Sequence, residues 1–75
     1  MVKIKVYSTP TCSVCIQTKK FLHEKKIKFQ DINVAEDQNA FQEMLKKSGQ
    51  VAVPVIDIDG KIITSLSKLQ EYIEN

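Results

Sequence analysis

Apolar and polar positions alternate at the start of the chain, with Val2, Ile4 and Val6 set against Lys3, Lys5 and Tyr7. A period of two is the pattern of a strand with one buried face, so a first strand is expected over residues 2–7. The period then lengthens. From residue 13 to about 26, Val14, Thr18, Phe21, Leu22 and Lys25 share one helical face, with Phe21 and Leu22 as the expected anchors. A second strand is expected over 28–32, with Phe29 and Ile32 turned inward, and a loop over 33–35. A second helix over 36–47 places Ala40, Phe41, Met44 and Leu45 on one stripe. Gly49 suits the left-handed residue that closes a helix. The apolar run 51–58 reads as a strand opened by Pro54, Asp59-Gly60 as a hairpin turn, and 61–64 as the return strand. Ser65 and Ser67 are both candidate caps for a last helix over 67–74, and Ser67 with Gln70 fits a capping box. Leu66, Leu69 and Ile73 face inward.

The expected order is β-α-β-α-β-β-α, an α/β chain. Its four-stranded mixed sheet has the first two strands parallel through a crossover, the last two in a hairpin, and helices on both faces. There is no repeat, linker or low-complexity stretch, and residues 1–75 read as one domain. Seventy-five residues lie near the lower limit for a self-sufficient core.

Both cysteines of the chain, Cys12 and Cys15, fall where the strand pattern gives way to the helical one. Side chains three apart on a helix have Cβ atoms roughly 5–6 Å apart. A disulfide tolerates Cα separations of about 4.4–6.8 Å, so the pair can join and part without refolding the backbone. Cys12 stands at the helix mouth, where free N–H groups and the macrodipole favour negative charge. A free thiol is only about 3% thiolate at pH 7, whereas Cys-x-x-Cys thiols titrate at roughly 3.5–7.5. Cys12 is therefore expected as the exposed nucleophile and Cys15, one turn inside, as the more buried resolving thiol. Lys19 is the first base past the pair, roughly 10 Å along the axis from Cys12, so the helix end rather than a neighbouring lysine must favour the thiolate. Thr11 and Ser13 flank Cys12, and Pro10 stiffens the turn that delivers it.

Two other uses of the pair weigh less. A structural disulfide closing so short a loop removes little chain entropy, and the start of the chain lacks an apolar signal core. Structural zinc wants four ligands, and the chain offers two cysteines and His23, which lies roughly 12 Å down the helix from Cys15. A net charge of +2, with lysines scattered among acids, argues for neither nucleic acid nor membrane as a partner. No run approaches a membrane span. These features fit a reducing, cytoplasmic setting and a monomer. Pro54 admits two readings. It is either a plain strand-start proline, or it follows a cis Val53–Pro54 bond that leaves the Val53 backbone free to pair with an extended substrate segment.

Taken together, Val6-Tyr7-Ser8-Thr9-Pro10-Thr11-Cys12-Ser13-Val14-Cys15, Gly49-Gln50 before Val53-Pro54, and the segment 56–60 resemble a glutaredoxin, over essentially the whole chain. The resemblance implies a thioredoxin-like fold, Cys12 as attacking thiol, Cys15 as resolving thiol and a cis Pro54 facing them. It implies reduction of disulfide-containing proteins or small disulfides, with glutathione or a flavin-containing thioredoxin reductase as electron donor and no bound cofactor. The departures are specific. Glutaredoxins usually carry Pro-Tyr where Ser13-Val14 stand, often a lysine at Thr9 and a cation at Gln50, and Gly-Gly and an aspartate pair where Thr64-Ser65 and Ser67-Lys68 stand. Those cations hold a carboxylate of glutathione, and the aspartates hold its ammonium. Each lost charge-assisted bond costs about 1.5–3 kcal/mol before substitutes such as Ser65 and Ser67 are counted, so weakened glutathione preference is expected. A different class is an iron–sulfur or metal carrier built on Cys12 from two chains, but single-cysteine relatives favour that use. A non-catalytic interaction domain is a third class.

Overall fold

In the computed structural model, which describes residues 3–74, the first strand, β1 (Ile4–Ser8), is buried on both sides. Val6 packs with Leu22, Ile56, Ile58, Ile63 and Leu69 on one face, while Tyr7 packs with Val34, Ala40, Met44 and Val55 on the other. The expected strand start at Val2 lies outside the described residues. The order continues as α1 (Ser13–Glu24), β2 (Gln30–Asn33), α2 (Gln38–Ser48), β3 (Val55–Ile58), β4 (Lys61–Ile63) and α3 (Leu66–Glu74), matching the expected β-α-β-α-β-β-α. The sheet order is β2-β1-β3-β4. β1 runs parallel to β2 and antiparallel to β3, with Tyr7 opposite Ile32 on one side and Val55 on the other. β3 and β4 form the hairpin, whose Asp59 and Gly60 take φ of 50° and 98°, as a two-residue hairpin turn demands.

The two clusters place α1 and α3 on one face of the sheet and α2 on the other. Helix ends follow local chemistry. The Asp37 side chain caps α2 by accepting the Ala40 N–H at 3.1 Å, so the helix begins at 38 rather than 36. Gly49, at φ 72°, closes it in the left-handed region. α1 stops at Glu24, because Lys26 takes φ 58° and breaks the helical path. β2 begins at Gln30, two residues later than its pattern suggests, although Phe29 packs against the core as expected.

Two helix faces and one cap depart in part from the sequence pattern. The buried stripe of α1 is Cys15, Thr18 and Leu22, while Val14 is 42% exposed. Thr18, Phe21 and Leu22 meet the core as expected, but Cys15 rather than Val14 leads the stripe and Val14 faces outward. On α2, Ala40 and Met44 are buried and Phe41 packs against the same cluster as expected, whereas Leu45 is exposed. On α3, Ser65 rather than Ser67 is the cap: its Oγ accepts the Lys68 N–H at 3.3 Å and its carbonyl accepts the Leu69 N–H at 3.1 Å. Ser67 lies exposed in the first turn.

Candidate active site

Three chain segments converge at one end of the sheet, where β1 finishes. β1 leaves it toward the turn that carries Cys12. Since Val55 lies opposite Tyr7, Pro54 enters β3 at that same end, level with Ser8. Ile63 lies opposite Ile56, so the chain leaving β4 toward Ser65 also departs there. Topology thus collects Thr11, Cys12, Ser13, Val53, Pro54 and Ser65 at one end of the molecule, although 54 residues separate the first from the last.

The turn is built by hydrogen bonds that start before the helix. The Cys12 N–H donates to the Thr9 carbonyl at 3.3 Å, and the Cys12 carbonyl accepts the Ile16 N–H at 3.1 Å as the first helical bond. Cys12 is the N-cap, with φ −90° and ψ 110°. Its Sγ accepts the Cys15 N–H at 3.2 Å, the place that a serine or aspartate oxygen fills at ordinary helix starts. A sulfur there meets the unpaired N–H groups and the positive end of the helix dipole. Cys12 is half-buried rather than fully exposed, because Sγ folds back over the first turn.

Cys15 is a free thiol with no exposed surface. Burial, with the Cys12 side chain adding to it by hydrogen bond and charge, pushes the Cys15 thiol up to about 12. A Thr9 backbone hydrogen bond, and after it the charge of Lys19, pull the other way without offsetting the rise. The two sulfurs are thus chemically unequal, one at a helix mouth and partly open, the other buried beneath it.

Thr11 and Ser13 are exposed on either side of Cys12. The Val53–Pro54 bond is cis, and Pro54 is buried, with Val53 half-buried against the Tyr7 cluster. The Gln50 side chain donates to the Ala52 carbonyl at 3.0 Å, fixing the loop ahead of Pro54. Ser65 reaches the same end but its Oγ is engaged as a helix cap, and Ser67 is exposed on α3. His23 stands away from the cysteines, edge-on to Phe29 with ring centroids 5.2 Å apart. Among the described residues, no three of His, Cys, Asp and Glu gather as metal ligands, and no helix is long and apolar enough to cross a membrane.

Sequence reasoning missed a polar network on the α2 side. Lys47 Nζ donates to Asp57 Oδ2 at 2.6 Å and to the Tyr7 hydroxyl at 3.2 Å, and pairs with Glu43 at 3.0 Å. The Tyr7 hydroxyl donates in turn to Glu43 Oε1 at 2.9 Å. Burial pushes the Tyr7 hydroxyl up, while the Asp57 hydrogen bond raises Lys47. Burial would raise Asp57 too, but the Lys47 and Gly60 hydrogen bonds outweigh it and hold the carboxyl below its usual range. The network ties α2 to β1 and β3. The signal was an aspartate inside the otherwise apolar run of β3, facing the same side of the sheet as Lys5.

The glutaredoxin family model matches residues 4–63. A protein of Clostridium pasteurianum described as an uncharacterized glutaredoxin-like 8.6 kDa protein in a rubredoxin operon is 51% identical over 67 residues, covering 89% of each chain. Glutaredoxin 3 of Escherichia coli is 33% identical over 63 residues, covering 84% of this chain and 76% of its own. The crystal structure of a glutaredoxin from Archaeoglobus fulgidus superimposes with a TM-score of 0.84 at 26% identity, covering all of this chain and 89% of the other.

Proposed function

This chain belongs to the glutaredoxin family, and from that premise we propose that it is a thiol–disulfide oxidoreductase acting on protein or low-molecular-weight disulfides through Cys12 and Cys15. The observation that carries the reading is the 3.2 Å hydrogen bond from the Cys15 N–H to Cys12 Sγ, with the Cys15 thiol buried beneath it. The Cys12 thiolate attacks one sulfur of the target disulfide, and the other sulfur leaves as a thiolate that takes a proton. Cys15 then gives up its proton, attacks Cys12 Sγ in the mixed disulfide and releases the second target thiol. Two electrons reach the target, and a Cys12–Cys15 disulfide remains.

The order of events follows from what raises Cys15. Besides burial, two of the contributions come from Cys12 itself, its hydrogen bond and its charge. Once Cys12 is bonded to the target its charge is gone, so Cys15 ionises more readily at the step that needs it. Thr11 and Ser13 border the entering sulfur, and the Val53 backbone beside Pro54 pairs with an extended target segment. Ser65 and Ser67 offer only neutral contacts, and Ser67 and Lys68 stand where the family usually places its aspartate pair. With Thr9 and Gln50 at the cationic positions, glutathione is a weakened ligand, and the reductant is either glutathione or a flavin-containing thioredoxin reductase. The protein works as a cytoplasmic monomer in this reading.

The test uses two variants and two reductants. Cys12→Ser is expected to lose disulfide reduction, while Cys15→Ser accumulates a mixed disulfide visible in the intact mass. Full activity in Cys12→Ser would force a non-catalytic role. Incubating the oxidised protein with glutathione and its reductase, and separately with NADPH and thioredoxin reductase, identifies the donor by which mixture restores free thiols rapidly.

A further inference from the structure

Ile16, Lys19, Lys20 and His23 form one stripe along α1. Two clefts open against it. One, of about 600 Å³, is bordered by Ile16, Lys20 and Glu24; the other, of about 560 Å³, by Lys26, Lys28 and Phe29. Lys19, His23 and Asp31 border both, so the clefts run together as one groove between α1 and the edge strand β2.

The groove concentrates the charge of the molecule. Lys19, Lys20, Lys26 and Lys28 against Glu24 and Asp31 leave 4 − 2 = +2 with His23 neutral, equal to the formal net charge of the whole chain. The two acids do not cancel the lysines evenly. Asp31 is engaged by Lys19 at 3.2 Å and by the Ser8 hydroxyl at 3.2 Å. Lys20, Lys26 and Lys28 form no ion pair among the described residues. The groove also has apolar surface, since Ile16 is 53% exposed and Phe29 is half-buried at its far end.

Its position relates it to the cysteines. The Ile16 N–H donates to the Cys12 carbonyl at 3.1 Å, so the groove begins one turn from Cys12. Lys20 is eight residues from Cys12, about 12 Å along the helix. An extended peptide covers about 3.3 Å per residue, so a target whose cysteine sits at Cys12 reaches Lys20 in about four residues.

We propose that this groove docks an acidic, extended segment of the disulfide-bearing protein partner, with carboxylates beginning about four residues from the target cysteine. The inference rests on the proposed exchange chemistry and names its substrate class: acidic protein disulfides, held by Lys20, Lys26 and Lys28 and by apolar contact with Ile16. Charge complementarity of this kind acts mainly on the encounter rate.

The test compares two synthetic peptides, each carrying one cysteine as a mixed disulfide with thionitrobenzoate. Four residues after the cysteine, one bears four glutamates and the other four glutamines. Stopped-flow release of thionitrobenzoate by the reduced protein is expected to be on the order of tenfold faster for the glutamate peptide at low ionic strength. The advantage should shrink as salt shortens the screening length to about 10 Å at 0.1 M. In Lys20→Glu/Lys28→Glu the glutamate advantage should vanish while the glutamine peptide reacts as before, and a lysine-tailed peptide should gain instead. Equal rates for the two peptides with the unaltered protein, or an advantage that survives the double substitution, would overturn the proposal. Failure of the glutamine peptide to react at all would strike the exchange chemistry instead. The groove is then read separately in Cys12→Ser/Cys15→Ser, where the glutamate peptide should shift the amide resonances of Lys20 and Lys28; no shift there overturns the docking proposal.

Discussion

At neutral pH, alkylation should separate the two cysteines by a margin that can be worked out from the site. With its thiol pushed up to about 12, Cys15 is thiolate at about one part in 10⁵ at pH 7. An ordinary thiol near 8.5 is about 3% thiolate, roughly 3,000 times more. Part of that difference is returned, because a more basic thiolate is the better nucleophile. With a Brønsted coefficient of about 0.45, a gap of about 3.5 in pKa gives back a factor of roughly 40. Titration alone therefore makes Cys15 about a hundredfold slower than a free thiol, and its complete burial slows it further. The assay is limiting iodoacetamide at pH 7, with each peptide quantified by mass spectrometry. Cys12 should be labelled nearly to completion before Cys15 is detectable. Cys15 labelling should rise about tenfold per pH unit between about pH 8 and 10. In Cys12→Ser, Cys15 should react faster than in the unaltered protein, since the sulfur whose hydrogen bond and charge help to raise it is gone. Labelling of Cys15 within a factor of ten of Cys12 at pH 7 would refute the unequal pair on which the proposed exchange depends.

Two further predictions concern stability. Replacing Lys47 with methionine keeps the aliphatic stem but leaves Asp57, with a side chain 11% exposed, bonded only to the Gly60 N–H. The expected loss is about 2 kcal/mol at pH 7, below the figure for a fully buried pair because the Lys47 side chain is 29% exposed, and Tm should fall by about 8–16 °C. Asp57 and Glu43 are both held below their usual range, so their contribution is present above about pH 4 and is lost as pH falls through the depressed values. Urea unfolding followed by circular dichroism should therefore show the Lys47→Met deficit shrinking toward pH 3, and a constant deficit would contradict the assignment. At the alkaline end, Cys15 and Tyr7 are both raised, so the stability they contribute is complete below their unfolded values of about 8.5 and 10 and is lost as pH rises above them. The urea midpoint should decline from about pH 8.5 upward, and Cys15→Ser should delay the onset of that decline. An onset unmoved by the substitution would assign the alkaline loss to other groups.

The element order was written in the sequence because it depends on local periodicity: alternating Ile4 and Val6, the helical spacing of Thr18 and Leu22, and the Asp59-Gly60 turn each report on a few neighbouring residues. The Cys-x-x-Cys pair at a strand-to-helix junction was legible for the same reason, since a helix start and its polarity are local properties. Which face of a helix meets the sheet is not local. The α1 stripe departs from its pattern at its leading residue alone, because Val14 and Cys15 are both apolar enough to lead it, and only the docking of α1 beside α3 chooses between them. Ser65 and Ser67 can both cap in sequence, with the Ser67–Gln70 capping box on the side of Ser67, and the chain's exit from β4 decides for Ser65. The Tyr7–Glu43–Lys47–Asp57 network and the groove from Ile16 to Lys28 draw on residues brought together by strand order, which no single window of sequence contains. Periodicity thus determined what each segment becomes, and tertiary packing decided which atoms of different segments share an environment, because burial and charge act through distance in space rather than along the chain.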